Sequence, residues 1–249
     1  MHYHVDTIPI WRVMEDNAGC PVCALFRKTE QVEIERSLGG SVMEPSVRIR
    51  VNQRGFCQRH HQQLFHQKNR LGYALLVDSH VKELQLNIAA LVHKAQRNSG
   101  ANVLFAKAAN RRKTYALING LEALTKPCAL CETLETHMIR YCDTILHLWK
   151  SDKKFKAAWL ASKGVCIPHG VDLLKRAKIH LPLPLYKEFS TSLLTLLADS
   201  LNQNEQDLEW FTQKFDYRNQ DKPWYNSKNA LERTINQLRG QCAGIREKE

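Results

Sequence analysis

Glycine and proline are scarce in this chain, 11 and 8 of 249 residues. That scarcity excludes collagen-like and low-complexity architectures and leaves few places where a helix must break. No run approaches the ~18 apolar residues of a membrane span. No segment alternates apolar and polar residues convincingly, so strands are not expected. No Ser–His–Asp or Cys–His nucleophile arrangement is legible as a local motif. The N-terminal Met1-His-Tyr-His-Val-Asp-Thr-Ile-Pro9 lacks a basic stretch followed by an apolar one, which excludes a signal peptide, and the chain reads as cytoplasmic.

What the chain does have is an ordinary globular balance, 43% hydrophobic and 24% charged, which excludes wholesale disorder. Its length suffices to bury a core, so a metal supplements the fold and is not its sole support. Net charge is +11, a balance that favours nucleic acid, other polyanions or anionic surfaces as partners. Basic residues gather at Arg48, Arg50, Arg54 and Arg59, at Arg111-Arg112-Lys113, and at Lys150, Lys153, Lys154 and Lys156.

Eight cysteines carry the strongest pattern, and six of them fall into one signature written twice. Cys20-Pro-Val-Cys23 is followed by Cys57-Gln-Arg-His60, and Cys128-Ala-Leu-Cys131 by Cys166-Ile-Pro-His169. The intervening segments are 33 and 34 residues (57 − 23 − 1 and 166 − 131 − 1). The first pair shifts by 108 onto its counterpart (128 − 20) and the second by 109 (166 − 57). Gly55 maps onto Gly164, Leu64 onto Leu173 and Phe65 onto Leu174.

Cys-x-x-Cys puts two thiolates on one turn, and Cys-x-x-His at a helix start presents a thiolate and an imidazole from the other side. Three sulfurs and one nitrogen complete the tetrahedral shell of zinc and leave no open position for water, which points to structure over catalysis. The expected ligands are Cys20, Cys23, Cys57, His60, Cys128, Cys131, Cys166 and His169, holding two zinc ions. An iron–sulfur cluster is the alternative occupant, and thiol redox chemistry a further one. The pairing stays open: each half can close its own site, or the halves can share ligands. Cys142, on an apolar helical face, and Cys242 read as core or incidental thiols. His137, His147 and His180 read as surface or satisfied histidines, His61 as exposed or supporting a ligand, and His2 and His4 as part of a frayed terminus.

Periodicity of 3.6 residues dominates, and the expected fold is all-α and internally duplicated, with a Cys3His knuckle in each half. Val22, Leu25, Phe26, Thr29 and Val32 begin one helix that stops near Gly39-Gly40. Leu71, Leu75, Val81, Leu84, Ile88, Leu91 and Val92 mark a long one ending at Asn98-Ser-Gly100. Leu130, Leu134, Met138, Tyr141, Ile145 and Leu148 form a clear helical face. Phe155 and Trp159 mark a short helix, Pro184 opens a long one, and Ser227 is the expected N-cap of the last. The division expected is residues 1–98 as a first metal-binding repeat, 99–125 as a basic linker and short helix, 126–182 as a second repeat, and 183–249 as a C-terminal long helix, polar loop and last helix.

The polar loop interleaves aromatics with Asp, Arg and Asn. It reads either as a hydrogen-bonded network closing the helical domain or as a pocket formed by Asp216, Arg218, Asn219, Trp224 and Asn226.

Asp6-Thr-Ile-Pro9, Cys20-Pro-Val-Cys23, Gly55-Phe-Cys-Gln-Arg-His60, Asn69-Arg-Leu-Gly72, Cys128-Ala-Leu-Cys131, Gly164-Val-Cys-Ile-Pro-His169 and Lys214-Phe-Asp-Tyr-Arg-Asn219 with Pro223-Trp224 together resemble a bacterial domain-of-unknown-function family. The resemblance spans nearly the whole chain and implies a cytosolic protein with a doubled Cys-x-x-Cys/Cys-x-x-His unit, but no activity. Tyr225 departs from it, standing where a smaller residue is expected. The first functional expectation is a non-catalytic interaction or regulatory module whose partner is a nucleic acid or another protein. The second is an enzyme using the polar pocket, and the third an iron–sulfur or thiol redox sensor.

Overall fold

The computed structural model describes residues 4–16, 19–97, 106–125 and 128–240. Among them are eleven α-helices and no strand, so the fold is all-α. No helix of the described residues is long and apolar enough to cross a membrane. The chain forms two compact units that interleave along the sequence: residues 1–28 with 137–249, and residues 29–136.

The first unit contains α1 (His4–Asp16), the start of α2 (Pro21–Leu38), most of α7 (Ala129–Ser151), α8 (Lys153–Leu160), α9 (Ile167–His180), α10 (Leu183–Gln213) and α11 (Ala230–Arg239). Its core is aromatic. Trp149, Phe155, Trp159 and Phe189 are almost wholly buried among Ile10, Val22, Leu25, Ile145, Leu173 and Leu193. Phe189 meets Trp149 edge-on at 5.2 Å, and Trp11 meets Phe155 at 5.4 Å. Truncating one such ring to alanine costs about 3–5 kcal/mol. Asp152 starts α8 by accepting from the N–H groups of Lys154 and Phe155 at 2.8 and 3.2 Å, a cap worth about 1 kcal/mol.

The second unit contains the rest of α2, a 3₁₀ turn at Gly40–Met43, α3 (Pro45–Arg54), α4 (Gln58–Phe65), α5 (Arg70–Arg97), α6 (Ala106–Thr125) and the start of α7. Its core is aliphatic and smaller: Ile34, Leu38, Val42, Val51, Leu64, Leu76 and Leu130. Asn69 ties it together by donating to the Leu38 carbonyl at 2.6 Å and accepting from the Gly72 N–H at 2.8 Å. A Cβ on Gly72 would lie 2.6 Å from the Asn69 amide, which explains that glycine within Asn69-Arg-Leu-Gly72.

Several local expectations change. In α2, Val22, Leu25 and Thr29 are buried as the stripe expects, but Glu30 and Glu33 are buried as well and Val32 is 57% exposed, because Glu30 has partners inside. In α5, Leu71, Val81, Ile88 and Val92 are exposed, and Leu76 is the one large apolar side chain buried among the described residues. A 28-residue helix is ~42 Å long and outruns this small core. The basic stretch expected as linker lies within α6. Ser227 does not cap the last helix: its hydroxyl donates to the Trp224 carbonyl, a 3₁₀ turn at Ser227–Asn229 follows, and Asn229 precedes α11. Residues 98–100, Cys242, and the side chains of His2, His4, Arg111, Arg112 and Lys113 lie outside what is described.

Candidate metal centres

All four cysteine motifs sit on helix N-termini. Cys20 immediately precedes α2 and Cys128 immediately precedes α7, each with its second cysteine on the first turn. Cys57 and Cys166 are the N-cap residues of α4 and α9, with His60 and His169 on the first turn. In each motif the first cysteine's carbonyl accepts the N–H four residues on, at 2.9–3.2 Å, so the turn is already helical. Free N–H groups and the positive end of the helix dipole therefore face the sulfurs. The turns into the Cys-x-x-His segments need Gly55 and Gly164, at φ of 59° and 76°.

The structure brings these motifs together across the halves. Cys20 and Cys23 meet Cys166 and His169 within the first unit, and Cys57 and His60 meet Cys128 and Cys131 within the second. In each group the four ligand atoms lie within 4.8 Å of one another. In the first, His169 Nδ1 is 3.6, 3.3 and 3.1 Å from the sulfurs of Cys20, Cys23 and Cys166, and Cys23 Sγ is 3.6 Å from Cys166 Sγ. In the second, His60 Nδ1 is 3.3, 3.2 and 3.4 Å from those of Cys57, Cys128 and Cys131, and Cys57 Sγ is 3.8 Å from Cys131 Sγ. A tetrahedron with Zn–S and Zn–N bond lengths has edges of ~3.5–3.8 Å.

The thiols and imidazoles of each cluster shift one another's ionisation. Burial alone pushes the His60 imidazole down, but the Cys128 thiolate and Glu30 carboxylate outweigh it and lift it to about 10. Cys166 and Cys23 lift buried His169 to about 10 in the same way. Burial opposes ionisation of Cys128, yet His60 and the backbone N–H groups of Cys131 and Cys57 lower it to about 6. Cys131 is then pushed up to about 12, by burial and by neighbouring Cys128. In the first cluster hydrogen bonds from Cys166 and Cys20 hold Cys23 low, while burial, Cys166 and Cys23 push Cys20 up. One thiolate forms and its neighbours resist; a dication removes that conflict.

Behind His60 stands Glu30, a residue not marked by the sequence patterns. His60 Nε2 lies 3.2 Å from Glu30 Oε1, while Arg59 and Gln63 donate to Oε2 at 2.7 and 3.2 Å. A carboxylate on the far nitrogen fixes the ring and leaves Nδ1 free for a metal. Among the described residues no carboxylate bonds His169. The only sign of Glu30 in the sequence is an acid seven residues after Cys23, in a helix whose buried face carries it.

The other sequence candidates fall elsewhere. Cys142 is buried in the aromatic core, its thiol pushed up to about 12 chiefly by burial, and belongs to neither group. His180 lies 3.3 Å from Asp143, which also pairs with Arg176. His61 Nδ1 bonds the Tyr73 hydroxyl. Of the Arg48–Arg59 cluster, Arg54 pairs with Glu132 at 3.0 Å and Arg59 with Glu30.

The polar loop is organised by Lys214, which is 6% exposed and donates to the carbonyls of Asn219, Gln220 and Lys222 at 2.6–2.7 Å. Arg218 pairs with Asp216 at the surface, and Trp224 packs against Phe211 and Phe215. Asp216, Arg218, Asn219 and Trp224 thus form a bonded loop. Asn226 lines a cleft in company with Tyr225, the described non-glycine residue with positive φ (50°).

A comparison with curated proteins and with solved structures finds no match. Residues 1–244 match a family model described as a family of unknown function, DUF6062, and the chain belongs to that family.

Proposed function

We propose that each Cys3His cluster is a structural zinc site and that the chain is a non-catalytic binding module of the reducing cytoplasm. The observation that carries this reading is the pair of closed, tetrahedrally spaced ligand sets. With three thiolates and an imidazole on one ion, no coordination position remains for water or substrate, so a zinc here holds the chain and does not activate a nucleophile.

The spacing favours zinc over iron–sulfur chemistry. In a multi-iron cluster the ligands sit on different irons and stand farther apart than ligands sharing one ion, whereas all four atoms here lie within 4.8 Å. The thiol redox reading needs sulfurs free of metal, and an oxidant competing with the ion. The cross-pairing and the 108–109-residue shift fit an internal duplication in which each half lends its Cys-x-x-Cys to the other's Cys-x-x-His. Asp216 and Arg218, which the enzyme reading places in its pocket, pair with each other at the surface.

The deciding measurement is elemental analysis with an optical spectrum of the purified chain. Two zinc per chain in a colourless sample is the expected result. Iron with visible absorption, or a fully folded metal-free chain, overturns it.

A further inference from the structure

We propose that the first unit carries a binding site for a small anionic molecule bearing phosphate or carboxylate groups, in the polar cleft against the Cys20 cluster. The inference rests on the reading of the chain as a binding module, but not on the identity of its metal.

The cleft encloses about 1060 Å³, at the upper end of the ~300–1,000 Å³ of small-molecule sites. Its walls come from the α1–α2 junction, the segment before Cys166, the second half of α10, and residues 225–237. Most of the side chains that line it are polar.

The buried wall is built and incompletely satisfied. Asn204 of α10 and Gln237 of α11 are 6% and 7% exposed, and the Asn204 amide donates to Gln237 Oε1. That leaves Gln237 Nε2, buried and without a hydrogen-bond partner. Arg233 lies one turn away; its Nη2 bonds Asp207 and the Asn226 carbonyl at 2.7 and 2.8 Å, while its Nε has no partner. Gln237 Nε2 and Arg233 Nε are thus buried donors without partners behind the cleft wall, and such groups cost roughly 1–3 kcal/mol each.

The charge on the walls has the matching sign. Arg27, Lys28, Lys163, Lys228 and Arg233 line the cleft against Asp16, Asp199 and Asp207, a net of +2 (5 − 3). Lys28 is paired with Asp16 and Arg233 with Asp207. Arg27 and Lys228 form no ion pair among the described residues. The left-handed Tyr225 stands at the rim, and backbone strain of this kind collects at ligand sites. Cations without ion-pair partners on the walls of a concave space of metabolite size point to an anionic ligand.

The test uses the full zinc-loaded chain and calorimetric titration with inorganic pyrophosphate in one arm and citrate in the other, which separates phosphate from carboxylate recognition. One of the probes is expected to bind saturably, one per chain, with a Kd below ~1 mM. The exposed double variant R27E/K228E is expected to weaken that binding by at least about tenfold at unchanged melting temperature. Gln237→Leu is expected to weaken it as well; if that variant fails to fold, the surface variant still decides. No saturable binding of either probe up to ~10 mM, or binding indifferent to R27E/K228E, overturns the proposal. Elemental analysis of the same sample reports on zinc separately, so a bound probe with another metal would sink the zinc reading and leave this one standing.

Discussion

In the cluster of Cys20, Cys23, Cys166 and His169, Cys166 is 1% and Cys23 6% exposed, and the surrounding core holds Trp149, Trp159 and Phe189. In the cluster of Cys57, His60, Cys128 and Cys131, Cys131 stands exposed and the neighbouring core is a small aliphatic one. The second cluster has the buried Glu30 behind its histidine, and the first has no counterpart among the described residues. An identical ligand set is thus held by packing in one unit and by a polar support in the other. Loop length does not separate them. The cross-links span 143 and 74 residues, and each doubling of a closed loop is worth only ~0.6 kcal/mol. Burial of the ligands and the hydrogen bond behind the histidine matter more.

Removing one ligand from each cluster should separate the two most widely. Cys166→Ser should lose one zinc per chain and destabilise by about 4 kcal/mol or more, a fall of ~10 °C in Tm. Cys131→Ser should lose one zinc as well but melt closer to wild type, because its side chain is already exposed. Equal Tm losses, or two zinc retained in either variant, would refute the difference.

Acidification acts on both clusters in the same direction. Metal binding requires thiolates and a neutral imidazole, whereas the bare clusters hold His60 and His169 protonated up to about 10. Each bound ion therefore releases at least one proton across the neutral range, and zinc affinity should rise roughly tenfold or more per pH unit between pH 6 and 8. A flat profile in a chelator competition assay would show that these groups are not the ligands.

Glu30→Gln should weaken zinc binding ~10–100-fold at the second cluster and leave the first unchanged. The readout is two-phase zinc release to a chromogenic chelator: the fast phase, assigned to the second cluster with its exposed Cys131, should accelerate alone. A change in the slow phase only would reverse the assignment.

The smallest contrast is between the two knuckle glycines. A Cβ at Gly55 would lie 2.5 Å from His80 Nε2, and that ring is held by a 2.8 Å hydrogen bond to the Asn52 carbonyl. At Gly164 the nearest atom is 3.4 Å away, so only the backbone conformation resists. Gly164→Ala should cost about 1–2 kcal/mol, and Gly55→Ala measurably more, by denaturant unfolding.

Much of this is legible in residue order. The helices around Leu130–Leu148 and after Pro184 follow from 3.6-residue periodicity, and the eight clustered Cys and His side chains from their spacing. The same periodicity misplaces Val32 and Glu30, because an apolar stripe cannot reveal that an acid turns inward to meet a histidine thirty residues on. The cleft wall is equally hidden: Asn204 and Gln237 are ordinary polar helix residues until α10 and α11 pack together.

Residue order alone establishes that the chain is helical, which eight side chains gather, and that each cluster has three sulfurs and one nitrogen. Which Cys-x-x-Cys meets which Cys-x-x-His is settled only when the helices pack. Exchanging the two Cys-x-x-Cys pairs leaves both ligand sets Cys3His with the same helix-start geometry, so no local chemistry distinguishes the arrangements. Both α2 and α7 contribute to both cores, so the choice rests on which end of each enters which: Val22 and Leu25 at the start of α2 join the aromatic core, and Leu130 at the start of α7 joins the aliphatic one.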